Sequence, residues 1–188
     1  SGVLTNGSSV LGLGKIGPLA TKLVMEGKAV LFKKFAGINV FDIEIDQADP
    51  DKHIEIIASL EPTYGAINLE DIKAPVCFVV EEALRKRMKI PVFHDDQHGT
   101  AIVAGAAISN GLRVVGKKLK DVKLVATGGG AASLACLDLL VSLGLRKENV
   151  SLIDIEGVVY VGRKKDMNKY KDKYARETGE RTLDDAID

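Results

Sequence analysis

Short apolar runs alternate with longer segments of helical period along most of this chain, and Gly, Asp, Asn or Pro stands at most of the joins. A short apolar run suits a strand buried on both faces, and parallel strands need a long connection, usually a helix, between them. The alternation therefore predicts an α/β fold. The string SSVLGLG reads as a strand and turn, GPLATKLVMEGK as a helix and NVFDIEI as a strand. Asp49 and Pro50 then cap the amphipathic segment DKHIEIIASLE, because an Asp side chain accepts from the first turn and Pro suits its first position. GAINLED is a short strand that stops on acids, CFVVEEALRKRM a helix with its charges opposite its apolar face, and IPVFHDD the next strand.

A long helix follows in GTAIVAGAAISNGLRVVG, whose Ala and Gly content predicts close packing rather than a solvent-facing surface. KDVKLVATGGG is a strand and glycine turn, AASLACLDLLVSLGL a helix and NVSLID a strand, the opening of a doubly wound dinucleotide-binding unit. The charged string GKKLKD marks the internal boundary, giving an α/β portion over 1–116 and the first half of a Rossmann-like domain over 117–188. Beyond Gly157 the run RKKDMNKYKDKYARETGER interleaves bases with acids around few apolar anchors, which predicts a solvated surface feature. A complete doubly wound domain needs more strands than this tail supplies, so the chain reads as a central fragment.

The chain has 188 residues, 46% of them hydrophobic, enough to bury a core without disulfide or metal staples. Its 26 Lys+Arg balance 26 Asp+Glu, which leaves no basic field for nucleic acid or an anionic membrane. Apolar runs such as Ala101 to Ile108 fall short of the ~18 residues that a membrane span needs. Cys77 and Cys136 lie far apart with no CxxC pattern, so free thiols in a reducing, cytoplasmic compartment are expected.

Three patterns bear on chemistry. The turn Gly128, Gly129, Gly130, Ala131, Ala132 follows the strand VKLVA and opens a helix, where backbone amides can approach a pyrophosphate, and Asp154 stands about twenty residues on, where an acid can bond an adenosine ribose. A plain βα turn that needs glycine for steric reasons is the alternative. A second formal match, Gly12, Gly14 and Gly17 in GLGKIG, has only Asp42 or Glu44 as its acid and suits a tight turn or a phosphate loop. Two acid pairs, Glu70 with Asp71 and Asp95 with Asp96, each end a strand; parallel strands share a carboxyl edge, so the pairs can converge on Mg²⁺ or Mn²⁺.

His94 and His98 bracket the second pair without the Glu of a zinc-protease motif and read as hydrogen-bonding residues, while His53 reads as a helix-surface residue. Lys28 stands between a helix end and an apolar stretch, and if it is desolvated beside a metal its pKa should fall.

The strings VLGLGKIGPLATKLVMEGKAVLFKKFAGI, EPTYGAINLEDIKAP and IPVFHDDQHGTAIV, followed by TGGGAAS, together resemble malic enzymes of the compact prokaryotic type along essentially the whole chain. The resemblance implies oxidative decarboxylation of (S)-malate to pyruvate and CO₂ with NAD or NADP and a divalent cation. It places the catalytic lysine on Lys28, metal ligands on Glu70, Asp71 and Asp96, and part of the acid/base machinery on Asp95. GLGKIG resembles the family's glycine-rich segment near the cleft. TGGGAAS resembles its dinucleotide turn, usually GAGAAG, with Gly129 replacing Ala and Ser133 replacing Gly. The family's proton-donating tyrosine has no match among Tyr64, Tyr160, Tyr170 and Tyr174, so the isolated chain is expected to be inactive or weakly active. A homodimer is expected for the intact protein. The competing classes are a non-catalytic dinucleotide-binding or subunit-interaction module and a metal-dependent phosphoryl-transfer enzyme, the latter ranked last because no GxxxxGK[ST] string is present.

Overall fold

A computed structural model describes all 188 residues, Ser1–Asp188, in two units, Ser1–Asp96 and Gln97–Asp188. In the first unit, strands β1 (Gly2–Thr5), β2 (Phe41–Glu44), β3 (Ile67–Leu69) and β4 (Val92–His94) form one all-parallel sheet in the order β2-β1-β3-β4. Helices α1 (Gly17–Leu31), α2 (Pro50–Ser59) and α3 (Val76–Arg87) make the crossovers. The inner strands β1 and β3 are buried along their whole length, and Val3, Leu4, Ile67 and Leu69 share the unit's core with Met25, Ile57 and Leu84. Asp49 caps α2 as its sequence predicts, accepting from the Lys52 amide at 3.0 Å.

The second unit holds α4 (Thr100–Val114), β5 (Leu124–Thr127), α5 (Ala131–Ser142), β6 (Val150–Asp154), β7 (Gly157–Val158), α6 (Lys169–Asp172) and α7 (Leu183–Ile187). β5 and β6 run parallel with α5 as their crossover, and β7 adds antiparallel to β6. Leu134, Leu137, Leu140, Val150 and Leu152 are its core. The α/β class and the β5-α5-β6 opening of a dinucleotide unit are therefore as the sequence predicts.

Several local expectations are corrected. SSVLGLG is not a strand: β1 lies upstream at Gly2–Thr5, and Val10 to Gly14 close a turn on themselves, Val10 and Gly14 exchanging amide bonds of 2.9 and 2.8 Å. Gly12 and Gly14 take the left-handed backbone that such a turn requires, with φ of 77° and 70°. The units part between Asp96 and Gln97, ahead of GKKLKD, because α4 packs on α5. Only Ala101 and Gly105 of α4 are buried, so its small residues serve one narrow contact while Ile102 and Val103 face outward. His53 is a buried residue of α2 and not a surface one, and Glu81 is buried on the face of α3 that the charge pattern assigned to solvent. The polar tail is anchored by the buried side chains of Arg163, Lys171 and Tyr174. Cys77 and Cys136 are free, and no helix is long and apolar enough to cross a membrane.

Candidate functional site

β3 and β4 are hydrogen-bonded neighbours with Leu69 in register with His94, so the residues leaving both strands emerge side by side at the carboxyl edge. Oxygens of Glu70, Asp71 and Asp96 lie within 4.8 Å of one another. From α1, Lys28 Nζ donates to Asp95 Oδ2 at 2.6 Å and to Glu70 Oε1 at 3.2 Å. The two acid pairs thus meet, as the parallel-strand argument predicts, and Lys28 joins them from α1.

Backbone and neighbouring side chains fix that cluster. The Asn68 amide donates to Glu70 Oε2 at 2.8 Å, and the Asp71 backbone N–H donates to Asp96 Oδ2 at 2.9 Å. Asp71 takes a left-handed backbone, φ 54°, which few non-glycine residues adopt and for which Asp is among the better suited. The loop after β1 hangs on this turn: the Ser9 amide donates to the Asp71 carbonyl at 3.0 Å, and Ser8 Oγ accepts from the Lys73 amide at 2.9 Å. Asn68, Ser8 and Ser9 carry no motif of their own, and only their nearness to strand ends marks them in the sequence.

Charge in the cluster is unbalanced toward acid. Burial, with repulsion from Asp95 and Asp96, pushes Glu70 up to about 7 despite Lys28. Burial and the Glu70 charge push Asp71 up to about 6, and burial with Asp71 does the same to Asp96, up to about 6. Burial alone works to lower Lys28, but its hydrogen bond to Asp95 and the negative charges of Glu70 and Asp95 outweigh it, so its pKa is raised. The fall expected for a desolvated lysine is absent because anions surround it. Three hard oxygen donors, Glu70 and Asp71 buried and Asp96 half-buried, that resist ionising together are a donor set that fits a divalent cation such as Mg²⁺ or Mn²⁺. His94 is fully buried with Nε2 3.9 Å from Asp96 Oδ2.

GLGKIG lies on the loop between β1 and α1. The amides of Leu13 and Gly14 bond back to the Val10 carbonyl, and both acids proposed to serve the string, Asp42 and Glu44, face Lys22 at 2.5 and 3.4 Å. The geometry is that of a tight turn.

In the second unit, Gly128 to Gly130 carry the chain from β5 into α5, whose N-terminus has no side-chain cap and no acid in its first turn. Such an end leaves amides for an anion and fits the phosphates of a dinucleotide. Asp154, at the end of β6, differs from expectation. Its Oδ1 accepts from Arg163 Nη1 at 2.8 Å and the Glu156 amide at 2.9 Å, and its Oδ2 from Arg163 Nη2 at 2.5 Å and Lys171 Nζ at 2.8 Å. A carboxylate offers about four acceptor positions, and all are taken. Burial would raise Asp154, but the bonds from Arg163 and Lys171 hold it well below the usual carboxylate range. Both cations come from the tail whose composition suggested a solvated surface.

Residues 1–50 match the family model for the malic enzyme N-terminal domain, and residues 97–187 match that for the malic enzyme NAD-binding domain. The chain belongs to the malic enzyme family. Among malic enzymes, it is 66% identical over 186 residues to an NADP-dependent malic enzyme of Haemophilus influenzae, a match that covers 98% of this chain and 25% of that protein. An NAD-dependent malic enzyme of Rhizobium meliloti is 62% identical over 185 residues, covering 98% of this chain and 24% of the relative. The chain thus spans about a quarter of the length of these curated malic enzymes. The crystal structure of an NAD-dependent malic enzyme from Thermotoga maritima superposes with a TM-score of 0.93 at 43% identity, over 99% of this chain and 50% of that one. The NAD-binding match begins at Gln97, where the second unit begins.

Proposed function

We propose that the protein containing this chain converts (S)-malate to pyruvate and CO₂ by oxidative decarboxylation, with NAD⁺ or NADP⁺ as hydride acceptor and a divalent cation in the acid cluster. The convergence of Glu70, Asp71 and Asp96 beside Lys28 carries this assignment. The three carboxylates would hold the cation, which when bound supplies Lewis-acid polarisation of the substrate's hydroxyl and carboxylate oxygens. Lys28 Nζ would exchange a proton with the malate hydroxyl, and Asp95, whose Oδ2 accepts from it at 2.6 Å, would pass that proton on. Asn68 donates to Glu70 Oε2 at 2.8 Å and so helps to orient that carboxylate.

Either dinucleotide fits the glycine turn. Asp154 supplies no ground for preferring NAD, since Arg163 and Lys171 hold its carboxylate and, with Asp166 on Lys171, leave the group balanced in charge. Either NAD or NADP is compatible with this balance, and kcat/KM with each dinucleotide tests which one the protein uses.

The primary test is calorimetric titration of the intact protein with Mn²⁺, alone and with malate, beside Asp96→Ala. Malate-enhanced Mn²⁺ binding that disappears in the variant is the expected result. Equal Mn²⁺ affinity in both proteins refutes the metal assignment, and dinucleotide binding without malate turnover under any metal favours the binding-module alternative.

A further inference from the structure

We propose that Gly129 is a specificity-determining residue of the dinucleotide turn, because its missing side chain is what seats the Lys171 ammonium between that turn and Asp154. The inference rests on the dinucleotide assignment above and adds to it a residue that touches no reacting atom. A Cβ built at position 129 would lie 2.7 Å from Lys171 Cε, 3.2 Å from Lys171 Nζ and 3.2 Å from Asp154 Cβ. The end of a lysine usually yields to such a contact at little cost. This one is held: Nζ donates to Asp154 Oδ2 at 2.8 Å, to the Asp166 carbonyl at 2.9 Å and to Asp166 Oδ2 at 2.5 Å, with its side chain 6% exposed.

The other neighbour of the added methyl yields less readily. Asp154 Cβ belongs to the end of β6, and the Arg163 fork holds both oxygens of that carboxylate. A methyl at 129 therefore displaces the ammonium. Two changes then occur together at the adenosine side of the turn: a positive charge leaves, and Asp154 Oδ2 regains an acceptor position that a ribose hydroxyl can use. The first weakens a dinucleotide that carries an extra phosphate, and the second favours one that does not. Gly129 does not adopt a left-handed backbone, so alanine brings no backbone strain and the substitution tests the contact alone.

The test is a double-mutant cycle in the intact protein, with Gly129→Ala, Lys171→Ala, the double variant and the parent, reading the ratio of NADPH to NADH dissociation constants by calorimetry and thermal unfolding for each. Gly129→Ala is expected to move the ratio toward NADH by about tenfold, roughly the effect of one charged contact, and by less than about twofold where Lys171 is already absent. An equal shift in both backgrounds overturns the proposal, as does no shift, or equal weakening of both dinucleotides. If the parent binds neither dinucleotide, the assignment on which the proposal rests is itself refuted, a result separate from any behaviour of the variants.

Discussion

The two units place buried carboxylates and a lysine at the carboxyl ends of parallel strands, yet the outcomes are opposite. Around β3 and β4 four acids share Lys28, and burial with mutual repulsion raises Glu70, Asp71 and Asp96. At the end of β6 one acid faces two buried cations, and Asp154 is held low. The same residue types therefore make, in one place, a site that the proposed cation would complete and, in the other, a finished structural joint. What decides between them is the count of charges, not their kind: a surplus of anions suits the cation proposed above, whereas a saturated carboxylate has no acceptor position left.

The largest effects should come from the incomplete site. Asp96→Asn is expected to weaken Mn²⁺ binding at least 100-fold, on the order of or beyond what loss of a supporting contact costs, and Lys28→Ala to lower kcat by ~10²–10⁴ while leaving Mn²⁺ affinity within about threefold. Calorimetry and steady-state kinetics on the intact protein check both. If Lys28→Ala abolished metal binding instead, the lysine would be part of the frame and the contrast would fail.

In the finished joint the cost should appear as stability. Asp154→Asn strands Arg163 and Lys171 without their shared anion and is expected to cost roughly 3–5 kcal/mol, measured by urea unfolding of the second unit's signal. A loss below about 1 kcal/mol would mean that the joint carries little.

Acid should separate the two regions by sign. Glu70, Asp71 and Asp96 bind protons more tightly folded than unfolded, so without metal their contribution is most favourable below their ordinary range and declines as pH rises through about 6 to about 7. Asp154 runs the other way: its contribution is full above an unfolded pKa of about 3.9 and fades as pH falls below it toward the folded value. Urea midpoints from pH 3 to 8 in the presence of a chelator, for the parent and for Asp154→Asn, resolve the two slopes. A parent that gains stability steadily from pH 5 to 8 would contradict the raised carboxylates. The smallest effect belongs to Asp166→Asn, about 0.2–1 kcal/mol, because that side chain is 54% exposed and Lys171 keeps Asp154.

Much of the incomplete site was legible in the sequence because it depends on topology. Once the strands are parallel, acids that end NLED and FHDD must share an edge, and neighbouring strands bring them within reach. The joint was not legible, since composition cannot tell that one acid at 154 seats two cations from a run that reads as solvated. Val10 misled for a related reason: its apolar neighbours imitate a strand, but Gly12 and Gly14 fold the string back before a ladder can form. The Ala and Gly residues of α4 were read as signs of burial, yet only Ala101 and Gly105 meet a neighbour closely.

The hook between Ser8, Ser9 and the Asp71 to Lys73 turn has a mechanical consequence. Because the β1 loop is fastened to the carbonyl of Asp71 and the amide of Lys73, the left-handed turn that aims the Asp71 carboxylate is braced by a loop from the neighbouring strand. The exits of β1 and β3 thus form one hydrogen-bonded piece, and the closed turn from Val10 to Gly14, downstream of Ser9, starts from a fixed point.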